Sequence, residues 1–137
     1  MNDIIYITPE ELEKMTSGIK YTHYGLPVVE IDDMEFAIAA NEEEADKACY
    51  EYIENSIWAF SPFFLEQMTD VPAELFEAVQ NKCESINEAL QILVMRTCGM
   101  QEFVDQAISW DGRGHFLSCY DGKEIELECG AFAYRVN

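Results

Sequence analysis

Trp110-Asp111-Gly112-Arg113-Gly114-His115-Phe116-Leu117-Ser118-Cys119-Tyr120-Asp121-Gly122 is the stretch on which the reading of the fold turns. It holds three of the seven glycines, one of two histidines and one of only eight basic residues. Before it, apolar residues recur every three or four positions, the helical period. After Gly114 they alternate, with Phe116, Ser118 and Tyr120 on one face and His115, Leu117 and Cys119 on the other, the period of a strand. Asp121-Gly122 is a two-residue turn signal into a second strand from Lys123 to Cys129, and Phe132 to Val136 supplies a third. The C-terminal quarter is therefore expected to be an antiparallel meander.

Working back from that point, helices are expected. Phe103, Val104, Ala107 and Ile108 mark one ending before Trp110, and Gly99 breaks the helix before it. That earlier helix, from about Glu84 to Thr97, is apolar on more than one side and reads as a central element. Val71-Pro72 opens another, with Leu75, Phe76 and Val79 inward. Trp58-Ala59-Phe60-Ser61-Pro62-Phe63-Phe64-Leu65 reads as packed aromatics at a helix–helix corner. Asn41 can cap a helix reaching towards Phe60, with Glu44 completing a capping box and Ala45, Cys49, Tyr52, Ile53, Ile57 and Phe60 forming one buried stripe. Glu42, Glu43, Asp46, Glu51 and Glu54 fall mostly outside that stripe. The bland account of Glu42–Glu44 is complementation of the helix dipole.

Towards the N-terminus, Val28–Ile31 and Met34–Ala39 form a hairpin turning at Asp32-Asp33. Thr8-Pro9-Glu10-Glu11 starts a short helix that stops near Ser17-Gly18. Ile4-Ile5-Tyr6-Ile7 is a short strand or an apolar lead-in. The expected class is α+β: helices packed on an antiparallel sheet, with a C-terminal meander, in one domain spanning residues 1–137.

Charge is the dominant feature of the composition. Twenty-seven acidic residues face eight basic ones, a formal net charge of −19. A compact domain of this length is roughly 37 Å across, and duplex DNA of that length carries about 22 phosphate charges. The two totals are comparable. The field repels nucleic acid and anionic membranes, so neither is an expected partner. It suits a protein that occupies a basic nucleic-acid site on another protein. Spread over roughly 7,300 Å² the charge is only about one per 380 Å², so mimicry requires segregation. No apolar run approaches the roughly 20 residues of a membrane span, and no signal peptide is evident. The expected location is the cytoplasm. The five cysteines are odd in number with no C-x-x-C pair, which predicts reduced, mostly buried thiols.

Asp111, Arg113 and His115, with Asp121, are the candidate catalytic residues, because an acid, a cation and a base share a glycine-rich loop. The alternative is structural: Arg113 pairs a carboxylate and His115 makes a local hydrogen bond. A His115–Cys119 dyad fails if both lie on one strand, since four residues span roughly 13 Å. Glu30, Asp32, Asp33 and Glu35 crowd the hairpin, but no calcium-loop pattern exists, and no metal or cofactor is expected. The candidate partner-binding residues are Glu30, Asp32, Asp33, Glu35, Glu42, Glu43, Asp46, Glu51 and Glu54. Acids of the hairpin and of the Asn41 helix are expected to gather on one face.

Tyr52-Ile53-Glu54-Asn55-Ser56-Ile57-Trp58-Ala59-Phe60, the Asp111–Glu124 segment and Phe132-Ala133-Tyr134-Arg135-Val136-Asn137 resemble segments of small acidic proteins of bacteriophages and mobile elements. That resemblance, over the last two thirds of the chain, implies a phage-borne gene acting in the bacterial cytoplasm and carries no catalytic residues with it. By class it implies a host-directed inhibitor, of the anti-restriction or anti-CRISPR kind. A small enzyme built on the Asp111–His115 loop is the second expectation. A phage structural or assembly protein, with an apolar patch near Trp58–Phe64, is the third.

Overall fold

The computed structural model describes residues 2–19, 21–80 and 86–137, with no account of the side chains of residues 2 and 3. Its contacts divide into two compact units, residues 1–51 with 111–137, and residues 52–110. The class is α+β, as expected. Among the described residues, seven α-helices accompany a five-stranded antiparallel sheet ordered β1-β2-β3-β5-β4.

The first unit holds the sheet. Its strands are β1 (Thr22–His23), β2 (Leu26–Ile31), β3 (Met34–Ala39), β4 (Ile125–Glu126) and β5 (Phe132–Arg135). The hairpin forms where expected, with Glu30 opposite Glu35 and Ile31 opposite Met34. Asp32 and Asp33 both have positive φ, 52° and 67°, as the tight turn matching strand twist requires. β3 is central, between β2 and β5, so Phe36, Ala37, Ile38 and Ala39 are buried on both faces in succession. One face packs Val29, Phe36, Ile38 and Ala133 against Ile4, Ile7, Leu12 and Leu127. Helix α1 (Pro9–Thr16) begins as read: Thr8 Oγ1 accepts the Glu11 N–H at 3.1 Å, and Pro9 sits where no N–H is needed. Residues Asn2–Tyr6 are a 3₁₀ turn, not a strand.

Asn41 caps α2 (Glu42–Glu54), accepting the Glu44 N–H at 2.9 Å, while Glu44 reaches back to the Ala40 N–H at 3.0 Å. The helix stops at Glu54, short of Phe60, and a 3₁₀ turn at Ile57–Ala59 follows. Three C-terminal strands were expected; two exist. The segment after Gly112 is a short helix, α7 (Arg113–Leu117), and the strand from Lys123 shrinks to β4. The two-residue periodicity misled because Phe116 and Leu117 are both buried, one turn of helix followed by an extended Ser118.

The second unit contains α3 (Pro62–Thr69), α4 (Ala73–Gln80), α5 (Asn87–Arg96) and most of α6 (Met100–Asp111). Ser61 caps α3 through the Phe64 N–H at 3.1 Å. The aromatic run is core, as expected: Phe60, Phe64 and Phe103 meet in pairs with ring centroids 5.2–5.5 Å apart, and Trp110 lies edge-on to Phe64 at 5.4 Å. Phe63 is the exception within the run, and both it and Trp110 are mostly exposed. The expected helix start at Glu84 lies outside the described residues. α5 is not a central element: it buries Leu90 and Val94 and exposes Ile92 and Met95. α4 buries Phe76 but exposes Leu75, expected inward. Trp110 lies inside α6, one residue before its end, not beyond it.

Candidate functional site

The glycines at residues 112 and 114 have different tasks. Gly112, at φ 85°, takes a backbone conformation that side-chain-bearing residues rarely adopt, just before α7. Gly114 is buried with backbone pressed on it: a Cβ there would lie 2.6 Å from the Lys123 carbonyl carbon and 2.7 Å from the Glu124 nitrogen. That close approach docks residues 122–124 on α7.

The docking brings Glu124 to Arg113. Arg113 Nε donates to Glu124 Oε1 at 2.7 Å, and Nη1 donates to Asp46 Oδ1 at 3.1 Å. Nη2 pairs with Glu42 Oε1 at 3.5 Å, and the guanidinium lies 4.8 Å over the Phe132 ring. The Tyr134 hydroxyl donates to the same Glu124 oxygen at 2.5 Å. Burial disfavours the charged arginine, but the hydrogen bond and charge of Glu124 outweigh it and raise the Arg113 pKa. Burial, and then the Glu124 acceptor, raise that of Tyr134. Beneath this network burial pushes the Cys49 thiol up to about 12. An arginine with every nitrogen committed to carboxylates is a tie between α2, α7 and the segment leading to β4.

The other candidate catalytic residues are elsewhere occupied. No hydrogen bond or ion pair joins any two of Asp111, Arg113, His115 and Asp121. His115 is exposed, its ring edge-on to Phe116 at 5.0 Å, and Asp111 is exposed at the end of α6. Asp121 Oδ1 accepts the Lys123 N–H at 3.0 Å and lies 2.9 Å from the Ser118 hydroxyl, forming a turn. That hydroxyl, with one proton to give, is also 2.9 Å from the Arg135 carbonyl.

His115 and Cys119 do not share a strand. Cys119 instead lies beside His23, Sγ to Nε2 4.0 Å, a residue not marked in the sequence. His23 Nε2 is closer to the Leu117 carbonyl, 2.9 Å, an oxygen that can only accept. The Nε2 proton therefore points at Leu117, and that nitrogen cannot take one from the thiol. Half-burial lowers the His23 pKa, against the carbonyl hydrogen bond. Mostly buried thiols were expected, yet of the four described cysteines only Cys49 is buried, and Cys119 is exposed.

Most of the candidate partner-binding acids fall into two groups in the first unit. Glu42, Glu43, Glu124 and Glu126 line an open depression of about 680 Å³, with Arg113 and Phe132 at its base. Asp46 adjoins it through Arg113. Glu30 and Glu35 face each other across the hairpin, beside Asp32 and Asp33 at its tip. The Tyr21 hydroxyl donates to Glu35 at 2.9 Å, and that hydrogen bond raises the Tyr21 pKa. β3 lies between the groups, so its length separates them by roughly 20 Å. Glu51 lies further along α2, and Glu54 belongs to the second unit.

Among the described residues no three His, Cys, Asp or Glu side chains are placed to hold a metal ion. No helix among them is long and apolar enough to cross a membrane. No family model matches the chain, and neither the curated proteins nor the solved structures include a significant match to it.

Proposed function

We propose that this chain is a non-enzymatic binding protein that sets its acidic face against the basic, nucleic-acid-binding surface of another protein, as a DNA mimic does. The observation that carries this reading is the depression beside Arg113. There the N-terminus of α2 and the approach to β4 bring Glu42, Glu43, Glu124 and Glu126 together around one arginine whose nitrogens are already engaged. A basic groove meeting that surface gains Coulomb attraction and faster encounter, and the gain fades as salt screens it. The hairpin acids form a second negative group about a strand's length away. The resemblance to small acidic phage proteins points to a host defence or nucleic-acid-processing protein in the bacterial cytoplasm as target.

Affinity capture from bacterial lysate tests this reading. Nucleic-acid-binding proteins should be retained at low salt and released by salt or by added duplex DNA. Retention indifferent to both would refute it.

A second reading has one specific observation behind it. Phe63 and Trp110 are each more than half exposed with ring centroids 6.5 Å apart, an aromatic patch of the kind an assembly protein would bury. Light scattering decides it: an oligomer dissociated by Phe63→Ser supports assembly, and a monomer at all concentrations excludes self-assembly through this patch.

A further inference from the structure

Apart from the acidic depression, the first unit carries a cleft of about 820 Å³. Two helices wall it. Pro9, Leu12, Glu13 and Thr16 come from α1, and Glu44, Lys47, Ala48 and Glu51 from α2. Each set is one helix face at spacings of three and four residues, so each wall runs two turns, about 10 Å. Leu26, Ile38 and Ala131 supply an apolar floor. The volume lies within the roughly 300–1,000 Å³ typical of ligand sites.

The chemistry of the cleft is two-sided. Its base is hydrocarbon, while its walls carry, among the described residues, Glu13, Glu44 and Glu51 against Lys47. We propose that the cleft binds a short basic amphipathic segment of another protein, with apolar side chains on the floor and lysine or arginine at the Glu13–Glu44 rim. An acidic amphipathic segment would match the floor but meet like charge at the rim. A purely basic segment would satisfy the rim and leave the apolar floor in water. Two turns of wall accommodate about two turns of helix or three extended residues. The Glu13–Glu44 rim is separate from the Glu42–Glu126 depression, and its occupant need not bind nucleic acid.

Fluorescence anisotropy with three short labelled peptides and the full chain tests it. The first peptide alternates lysine with leucine and phenylalanine, the second has glutamate for lysine, and the third has serine for the apolar residues. The first should bind, and the other two about tenfold more weakly or worse. Thr16→Trp fills the cleft and Glu13→Lys reverses its rim, and each should weaken the first peptide by about tenfold. Thr16 closes α1, and among the described residues its hydroxyl bonds back to the Glu13 carbonyl, so its replacement leaves the core untouched. Glu88→Lys, on the exposed surface of α5, should leave the affinity within about twofold. Thermal unfolding confirms that each variant is folded. Failure of the first peptide to bind, equal binding by the serine peptide, or full affinity in both cleft variants would overturn the proposal. Preferential uptake of a sulfonated apolar dye would overturn it as well, marking a small-molecule pocket.

Discussion

Arg113 donates to Glu124 Oε1 over 2.7 Å, and that oxygen also accepts the Tyr134 hydroxyl, so one carboxylate ties α7 to β5. The Arg113 side chain is only 12% exposed, whereas those of Glu42 and Asp46 are 73% and 58% exposed. The exposed partners each contribute little, about 0–1 kcal/mol. The Glu124 pair matters most, because losing the arginine strands that carboxylate beside a buried tyrosine. Arg113→Ala should cost about 2–3 kcal/mol in urea unfolding. Arg113→Lys should recover part of this, since one ammonium cannot serve three carboxylates at fork geometry.

Gly114→Ala should cost about 2–3 kcal/mol, because all three atoms its Cβ would strike belong to the 122–124 backbone and cannot rotate aside. Gly18→Ala is the control. Nothing lies within 4 Å of its Cβ position, and its midpoint in urea should not fall.

The hairpin turn can be improved. Asp32 and Asp33 both hold positive φ, a conformation Asn-Gly adopts with less strain, and the substitution also removes two adjacent like charges. Asp32→Asn with Asp33→Gly should raise stability by about 0.5–1 kcal/mol, seen as a higher melting temperature.

His23 predicts a pH dependence. Its folded pKa is lowered from 6.5, so the unfolded chain binds a proton at a higher pH than the folded one. Stability should therefore hold above about pH 6.5 and decline as pH falls from there towards the folded pKa. His23→Gln keeps a donor to the Leu117 carbonyl and should flatten that part of the profile. An unchanged slope in the variant would contradict the assignment.

These predictions cluster where the sequence was least legible. Thr8-Pro9 and Asn41 with Glu44 act over three or four residues, and both helix starts stand where the sequence places them; Ser61-Pro62 opens α3 by the same local means. The Asp32-Asp33 hairpin is local too. By contrast, Arg113 meets Asp46 across 67 positions, and His23 meets Leu117 across 94. No local pattern encodes either. The alternation after Gly114 imitated a strand because a single helical turn followed by an extended residue can produce it. Gly114 itself is there for a close approach by residues 122–124, which is a tertiary requirement. The structural alternative for Arg113, a carboxylate partner, was legible from the excess of acids; which carboxylates was not.

A defined acidic face, rather than net charge alone, is proposed to engage the basic partner. Two double variants with equal charge change decide it: Glu43→Lys with Glu126→Lys at the depression, and Glu88→Lys with Glu102→Lys on the second unit. Capture of nucleic-acid-binding proteins from bacterial lysate at low salt should be lost in the first and kept in the second. Equal loss in both, or no capture by the unaltered protein, would contradict the account.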